Sequence, residues 1–279
     1  MVRTPLVASL VLLTALWAPA LPAAAQTPPQ ATALSPEQME QFLLHAKIVQ
    51  MRSAQGGITN TQRATLSDGV ITHDAQIQTI DQAQPIFRPA RGLPEFNFTD
   101  SYRFNVAGYR LALLLDLDNV PMSVERVVDG RKAAVTWWID DVMMDERARV
   151  KKQVRSPDSE RTAMQLHVMR VFDELIQNRD RNLGNVLWTT DWTMWLIDHT
   201  RAFRTGKFLL NPKLLERVER SLLEHMRALT SETVSTAAGG SLTRFEVAAL
   251  LARRDAIVTH FEARIVERGE TAVLYALRR

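Results

Sequence analysis

The sequence predicts an α+β fold of two lobes, in which a small β-rich lobe is followed by a helical lobe. Short segments of alternating apolar and polar residues, joined by tight turns, occupy 63–80 and 123–139 and indicate strands. Beyond Asp140 the apolar residues are spaced by three and four along 159–177 and 242–268, which is the spacing of helices. Hydrophobic residues make up 46% of the 279 residues, which is enough to fill a core.

The predicted β-rich lobe spans 37–140 and contains one main helix. Just before it, Ser35 as a cap and Pro36 in the first turn predict the start of an initial helix. Three prolines from Pro85 to Pro94 predict a loop. The elements expected in this part are a helix over 36–51, strands over 63–66 and 70–80, a helix over about 100–115, and strands over 123–128 and 133–139.

The predicted helical lobe spans 141–279, and the hinge between the lobes is expected near Asp140 to Val142. The pair Gly239-Gly240 is interpreted as a loop between two helices. The expected order is a helix over 159–177, a polar loop over 178–185, short apolar runs over 186–188 and 194–197, and helices over 212–229 and 242–268.

Residues 1–25 have the pattern of a secretory signal, and 26–36 is expected to be a linker. Arg3 provides a positive start, a largely apolar run of 12 residues follows from Leu6 to Trp17, and three alanines precede Gln26. The run is shorter than the roughly 20 residues of a membrane span, and an uncleaved anchor stays open as the alternative. We expect an exported protein, periplasmic or secreted, with no membrane segment after cleavage.

The composition excludes several kinds of chemistry. The chain has no cysteine, so thiol catalysis, thiolate zinc sites and disulfides are excluded. Its six histidines do not have the spacing of a zinc site. The formal charge is only +3, and both signs alternate along the chain, so we predict no nucleic-acid partner.

The polar loop and the apolar run after it carry the residues with the clearest chemistry. Asp180 and Asn185 lie five residues apart in the loop, and Asp198 follows the second apolar run. Taken singly, each is a common turn residue. If the two runs are strands, they return Asp198 to the loop, and together the three provide a carboxylate for a hydroxyl and two oxygen ligands for a metal, as phosphoryl transfer from ATP requires. Arg181 is expected to brace the loop by pairing with a buried carboxylate.

These residues resemble the catalytic loop of the atypical kinases: the HipA-like family, the phosphatidylinositol kinases and the secreted Golgi casein kinases. Those families share a loop of the form Asp-Arg-(His/Asn)-x-x-(Asn/Glu), followed by a strand that ends in a metal-binding Asp. The close match covers about 172–203, and a looser match in the order of elements extends from Gly56 onward. The resemblance implies a two-lobed protein-kinase-like fold, with Asp180 as the catalytic residue and Asn185 and Asp198 as metal ligands.

The resemblance also implies a nucleotide-binding role for five residues of the first lobe. They are Gly56 and Gly57 in the phosphate-covering loop, Gln78 and Asn105 in the positions of the usual Lys–Glu ion pair, and Trp138 in the adenine pocket at the start of the hinge. Both members of that ion pair are therefore amides, which can hydrogen bond to each other but bring no positive charge to the phosphates. Arg63, Arg88 and Arg103 are the candidates for supplying that charge.

The function predicted from these features is a kinase-like phosphotransferase that uses ATP and Mg²⁺ or Mn²⁺. Two alternatives stay open. One is an exported pseudokinase that senses nucleotide or binds a partner, and the other is a nucleotidyl (AMP) transferase that binds ATP in the reverse orientation. The acceptor is an unknown protein, lipid, sugar or small molecule.

Overall fold

Residues 34–53, 61–89 and 93–277 are described by a computed structural model of the chain. Ser35–Arg279 forms one unit by itself. The predicted secretory signal, most of the predicted linker, and the glycines Gly56 and Gly57 lie outside the described residues. Within the described ranges, no helix is both long enough and apolar enough to cross a membrane.

The first lobe is built on an antiparallel sheet. Its elements are α1 (Pro36–His45), β1 (Lys47–Ser53), β2 (Gln62–Ser67), β3 (Thr72–Gln78), β4 (Asp81–Phe87), β5 (Glu95–Ser101), α2 (Arg103–Leu114), β6 (Ser123–Val128) and β7 (Arg131–Trp137). The strand order in the main sheet is β1-β2-β3-β7-β6. Along β3, Ala75 and Ile77 are buried in the core and Gln76 lies on the opposite face, as the alternation in the sequence predicts.

The first helix is shorter than predicted. α1 ends at His45, well before the predicted end at Met51, because the next residues form β1 and pair with β2. The predicted start is confirmed, since Ser35 caps the helix through its side chain. Ile48 and Val49 are β-branched and suit a strand better than a helix. The pairing of β1 with β2, in which Ile48 lies opposite Leu66, is a tertiary contact that decides the outcome.

The loop predicted over 85–94 is wrong for 85–87, which belong to a strand of a hairpin, whereas 88, 89, 93 and 94 lie in no helix or strand. β4 and β5 pair antiparallel, with Gln84 opposite Phe98 and Ile86 opposite Phe96. Pro85 lies between these pairs without a position of its own in the ladder. A separate two-stranded ribbon tolerates a residue without an N–H at such a place, so the proline does not prevent strand pairing.

The second lobe is mainly helical. Its elements are β8 (Val142–Asp145), α3 (Glu146–Lys151), α4 (Ser159–Ile176), β9 (Val186–Thr189), β10 (Met194–Leu196), β11 (Val218–Glu219), α5 (Arg220–Ala228), α6 (Ser231–Ala238), α7 (Arg244–Arg268), α8 (Glu270–Val273) and β12 (Leu274–Tyr275). The long helices α4 and α7 and the two short strands β9 and β10 agree with the prediction. The sequence did not predict β8, which joins β9 and β10 in a small sheet.

The single helix predicted over 212–229 is wrong. Pro212–Leu214 is a short 3₁₀ turn, and α5 starts only at Arg220, with the Glu219 side chain as its cap. Between them, β11 pairs in parallel with β12 at the far end of the chain. This pairing joins residues that are distant in sequence, so periodicity within the segment does not reveal it.

A fully buried arginine of α7 fixes the parts of the second lobe that surround the polar loop. The Arg253 guanidinium donates to the carbonyl of Leu175, near the end of α4, and to the carbonyl of Arg204, each at 2.8 Å. Burial lowers the pKa of Arg253 to about 10, which leaves the side chain charged at neutral pH. Arg253 therefore holds the end of α4 and the segment after Asp198 together through hydrogen bonds to both.

Candidate functional site

The candidate catalytic loop begins where α4 ends. Gln177 caps the helix with a left-handed φ of 51°, which turns the chain away from the helix axis. The Asp180 N–H donates to Asn178 Oδ1 at 3.0 Å, and Asn185 Nδ2 donates to the Asp180 carbonyl at 3.1 Å. Hydrogen bonds within the loop therefore set the positions of both Asp180 and Asn185.

Arg181 braces this loop as predicted. Its guanidinium pairs with the Asp173 carboxylate of α4 at 3.0 Å, and the two side chains are only 10% and 13% exposed. The same guanidinium donates to the carbonyls of Asn185 at 2.8 Å and Ile197 at 2.7 Å. One side chain thus joins the helix, the loop and the residue that precedes Asp198.

Asp198 follows β10, which pairs with β9 and returns the chain to the loop. Its φ of 55° lies in the left-handed region, where a residue other than glycine is strained by about 1 kcal/mol. The Thr200 hydroxyl donates to Asp198 Oδ1 at 3.0 Å, and the Ile197 N–H donates to the Asn185 carbonyl at 3.1 Å. The hairpin therefore brings Asp198 beside Asn185, as the sequence predicts.

A chain of amide groups joins the first lobe to Asp198. The Asn105 side chain of α2 donates to the Gln78 side chain at the end of β3, and both are buried. Gln78 Nε2 in turn donates to Asp198 Oδ1 at 3.4 Å, while Asn105 Oδ1 accepts from the His199 N–H at 2.7 Å. The hydrogen bond expected between the two amides is present, and it links β3 and α2 to the Asp198 segment.

His199 is a neutral packing residue in this arrangement. It is fully buried, and burial followed by the charge of Arg181 holds its pKa well below the usual range. Its ring meets the edge of Phe172, with centroids 5.7 Å apart, and lies against Gly108 of α2. A Cβ at Gly108 would be 3.3 Å from the ring, so the small residue allows α2 to approach the Asp198 segment closely.

Asp100 is a further carboxylate of the site that the sequence reasoning missed. The sequence placed it at the start of the helix, whereas it is the penultimate residue of β5 and is buried, and its Oδ1 has no hydrogen-bond partner among the described residues. Burial raises the pKa of Asp100; the Thr200 hydroxyl offsets part of this effect, and the charges of Asp198 and Asp180 add to it. Asp100 therefore lies near enough to Asp198 and Asp180 for their charges to act on it.

We expect Asp100→Asn to stabilise the ligand-free protein at neutral pH. Because the folded state raises the pKa of Asp100, its contribution to stability is complete below the unfolded pKa, near 3.9, and is lost as the pH rises through the folded value. Asparagine carries no charge, so the variant escapes this loss. Thermal unfolding between about pH 3.5, near the unfolded pKa of Asp, and about pH 8 should show a midpoint difference between the variant and the wild type that grows with pH.

Asp118→Asn, at an exposed aspartate, is the control for that series. Its midpoint should follow the wild type at every pH. An Asp100→Asn protein that is less stable than the wild type at neutral pH would contradict the burial and charge argument.

A cavity of about 550 Å³ lies between the sheet and the loop, within the size range of small-ligand sites. Its lining residues include Thr61, Arg63, Gln76, Thr136, Trp137, Trp138, Ile139, Asp140, Asp141, Gly184, Asn185, Ile197 and Asp198. Of the candidate site residues that the sequence singled out, Arg63, Trp138, Asn185 and Asp198 line it. Gln78 and Asn105 are buried beside Asp198.

Asp180 is not among the residues that line the cavity. Its side chain is 43% exposed, and Oδ2 lies 3.8 Å from Arg201 Nη1. Arg201 also pairs with Glu95, whose carboxylate lies 3.1 Å from Arg204 Nη2. The candidate catalytic carboxylate is therefore open to solvent, next to the cavity residues Gly184 and Asn185.

Comparisons with known proteins identify the fold. No family model and no curated protein matches the chain. The structure of hydra Fam20 with sugar is similar over 86% of this chain and 92% of that chain, with a TM-score of 0.67 and 13% identity. The Golgi casein kinase with Mn and ADP bound is similar over 85% of this chain and 78% of that chain, with a TM-score of 0.60 and 14% identity. The predicted two-lobed kinase-like α+β fold is confirmed.

Proposed function

We propose that the protein is a kinase-like phosphotransferase that uses ATP and Mg²⁺ or Mn²⁺. The observation that carries the proposal is the meeting of Asn185 and Asp198 at a ligand-sized cavity, with Asp180 beside it, in a kinase-like fold. The similar Golgi casein kinase structure contains Mn and ADP, which supports the choice of ligands. The proposed lobes are 37–140 and 141–279, with the hinge near Asp140.

The residues present suit a hard divalent cation. In the described ranges, no three or more Asp, Glu, His or Cys side chains are grouped so that they could hold a metal ion. Asp198 and the Asn185 amide oxygen provide oxygen ligands, and Asp100, whose buried Oδ1 has no partner among the described residues, lies near enough for the charge of Asp198 to act on it. Mg²⁺ and Mn²⁺ in nucleotide sites take few protein ligands and complete their shell with phosphate and water oxygens.

Each side chain then has a defined task. A bound cation would neutralise charge on the phosphates. Asp180 orients the acceptor hydroxyl and accepts its proton, and its exposure leaves room for an acceptor outside the cavity. Trp138 provides an aromatic surface for the base, and Arg181 keeps Asp180 and Asn185 in one geometry.

The amide pair favours a second candidate, a pseudokinase that binds nucleotide or a partner without transfer. Gln78 and Asn105 keep the link between β3 and α2, and neither side chain brings charge to the phosphates. A nucleotidyl transferase that binds ATP in the reverse orientation is the remaining alternative. In each case we propose an exported protein, periplasmic or secreted, whose acceptor or partner is a protein, lipid, sugar or small molecule.

Thermal unfolding with ATP and Mn²⁺ tests the nucleotide site. Ligand at a hundred times its Kd stabilises a folded protein by about 2.7 kcal/mol, which raises the midpoint of a protein of this size by about 5 °C or more. Asp198→Asn should lose most of this rise because it removes a metal ligand. Asp118→Asn should keep it. No rise in the wild type at millimolar ATP (roughly a hundred times a 10 μM Kd) would refute the proposal.

A further inference from the structure

The candidate nucleotide cavity has very little positive charge. Asp140, Asp141 and Asp198 line it, and Arg63 is the one basic side chain among the described residues that do so. The sequence over 54–60 contains no Lys, Arg or His, so that segment provides no cationic side chain either. A nucleotide polyphosphate needs positive charge beyond that of a single divalent cation.

Strand geometry directs Arg63 toward the cavity. In β2 the neighbouring residues Ala64 and Leu66 are fully buried in the core, so Arg63 faces the opposite side of the sheet. It pairs in register with Gln76 of β3, two residues from Gln78, and Gln76 also lines the cavity. Arg63 thus lies on the same face as the position where a positive charge is missing.

Contacts within the first lobe hold the Arg63 side chain in place. The guanidinium carbon lies 4.2 Å from the ring centroid of Trp138, and Nε and Nη2 bond to Asp74 Oδ2 at 2.6 and 2.5 Å. The Asp74 carbonyl accepts from the Trp138 backbone N–H at 3.1 Å, so Asp74 holds both the Arg63 guanidinium and the backbone of Trp138. A guanidinium has five N–H donors, and the bonds to Asp74 use only part of them.

Asp74 does not cancel the charge at this position. Its carboxylate is shared between Arg63 and Arg52, whose Nη2 lies 3.5 Å away, so two positive charges meet one negative charge. Arg52 is more exposed, at 53% against 34% for Arg63, and it does not line the cavity. The excess positive charge therefore borders the cavity through Arg63.

The two other arginines that the sequence suggested are less suited. Arg103 is 3.8 Å from Asp81, donates to the Ser241 carbonyl at 3.3 Å and lies over the ring of Phe104. Arg88 is exposed just beyond the end of β4. Neither of them contributes to the lining of the cavity.

We propose that Arg63 binds the phosphate groups of the nucleotide and supplies the positive charge that Gln78 lacks. This inference rests on the proposed nucleotide site. It makes Arg63 a binding residue whose contribution depends on the number of phosphates in the ligand. Its stacking on Trp138 pre-orients the guanidinium, which lowers the entropy lost when a phosphate binds.

The test measures the Kd of ATP, ADP, AMP and adenosine by calorimetry for the wild type, Arg63→Gln and the control Arg131→Gln, at an exposed arginine of β7 in the same sheet that does not line the cavity. Arg63→Gln should weaken ATP binding by about 10- to 100-fold, as expected for a lost charge-assisted hydrogen bond, and adenosine binding by less than about twofold. Arg131→Gln should match the wild type. Arg63→Lys keeps the charge and should fall between the wild type and Arg63→Gln.

Two results would overturn the inference about Arg63 and leave the proposed nucleotide site unaffected. One is an Arg63→Gln protein that binds ATP as tightly as the wild type. The other is an equal loss for adenosine and ATP, which would mean that Arg63 acts on the base through Trp138. A wild type that binds none of the four ligands would instead overturn the proposed nucleotide site and this inference with it. Arg63→Lys provides the same comparison should Arg63→Gln not fold.

Discussion

Asp180→Asn should lower the rate of phosphate transfer by about 10²- to 10⁴-fold, the usual contribution of a positioned general base. The side chain is 43% exposed and lies outside the cavity lining, so the variant should fold and still gain stability from ATP and Mn²⁺. Transfer of label from γ-labelled ATP to the protein itself, and to mixtures of protein, lipid and sugar acceptors, measures the effect.

The control for this experiment is Glu160→Gln, at an exposed residue of the first turn of α4. It should transfer label at the wild-type rate. Equal rates for Asp180→Asn and the wild type would refute the role of Asp180. Binding without transfer by the wild type would favour the pseudokinase, and label from α-labelled but not γ-labelled ATP would favour the nucleotidyl transferase.

Arg181→Met should lower the free energy of unfolding by about 3–5 kcal/mol, the usual cost of removing one partner of a buried ion pair. The change leaves the Asp173 carboxylate without its cation, and the Asn185 and Ile197 carbonyls lose their donor. Urea unfolding measures the loss. Metal-dependent stabilisation by ATP should fall as well, because Arg181 holds Asn185 and the residue before Asp198 together.

Arg179→Met is the matched control, since this arginine lies two residues away in the same loop and is exposed. It should lose less than about 0.5 kcal/mol, as surface substitutions do. The double variant Asp173→Asn, Arg181→Met removes both charges and should recover part of the stability. If Arg181→Met has the same free energy of unfolding as the control Arg179→Met, the ion pair between Arg181 and Asp173 does not hold the loop.

Local sequence patterns were sufficient to predict the two lobes and the loop and hairpin that carry Asp180, Asn185 and Asp198. The apolar spacing in α4, the polar loop and the two short apolar runs together define a helix, a loop and a hairpin. That order brings Asp198 back beside Asn185, because a short hairpin leaves the chain few other paths. The sequence alone therefore determined that Asn185 and Asp198 meet in the second lobe.

The tertiary structure decided what depends on pairing between distant segments. Asp100 joins the site because β5 pairs with β4, although the segment between the strands is proline-rich. Arg63 reaches the cavity because β2 lies beside β3 in a register that puts it opposite Gln76, whereas Arg88 and Arg103 do not line the cavity. Strand partners and register arise from side chains that meet across the sheet, and no periodicity within one segment encodes them.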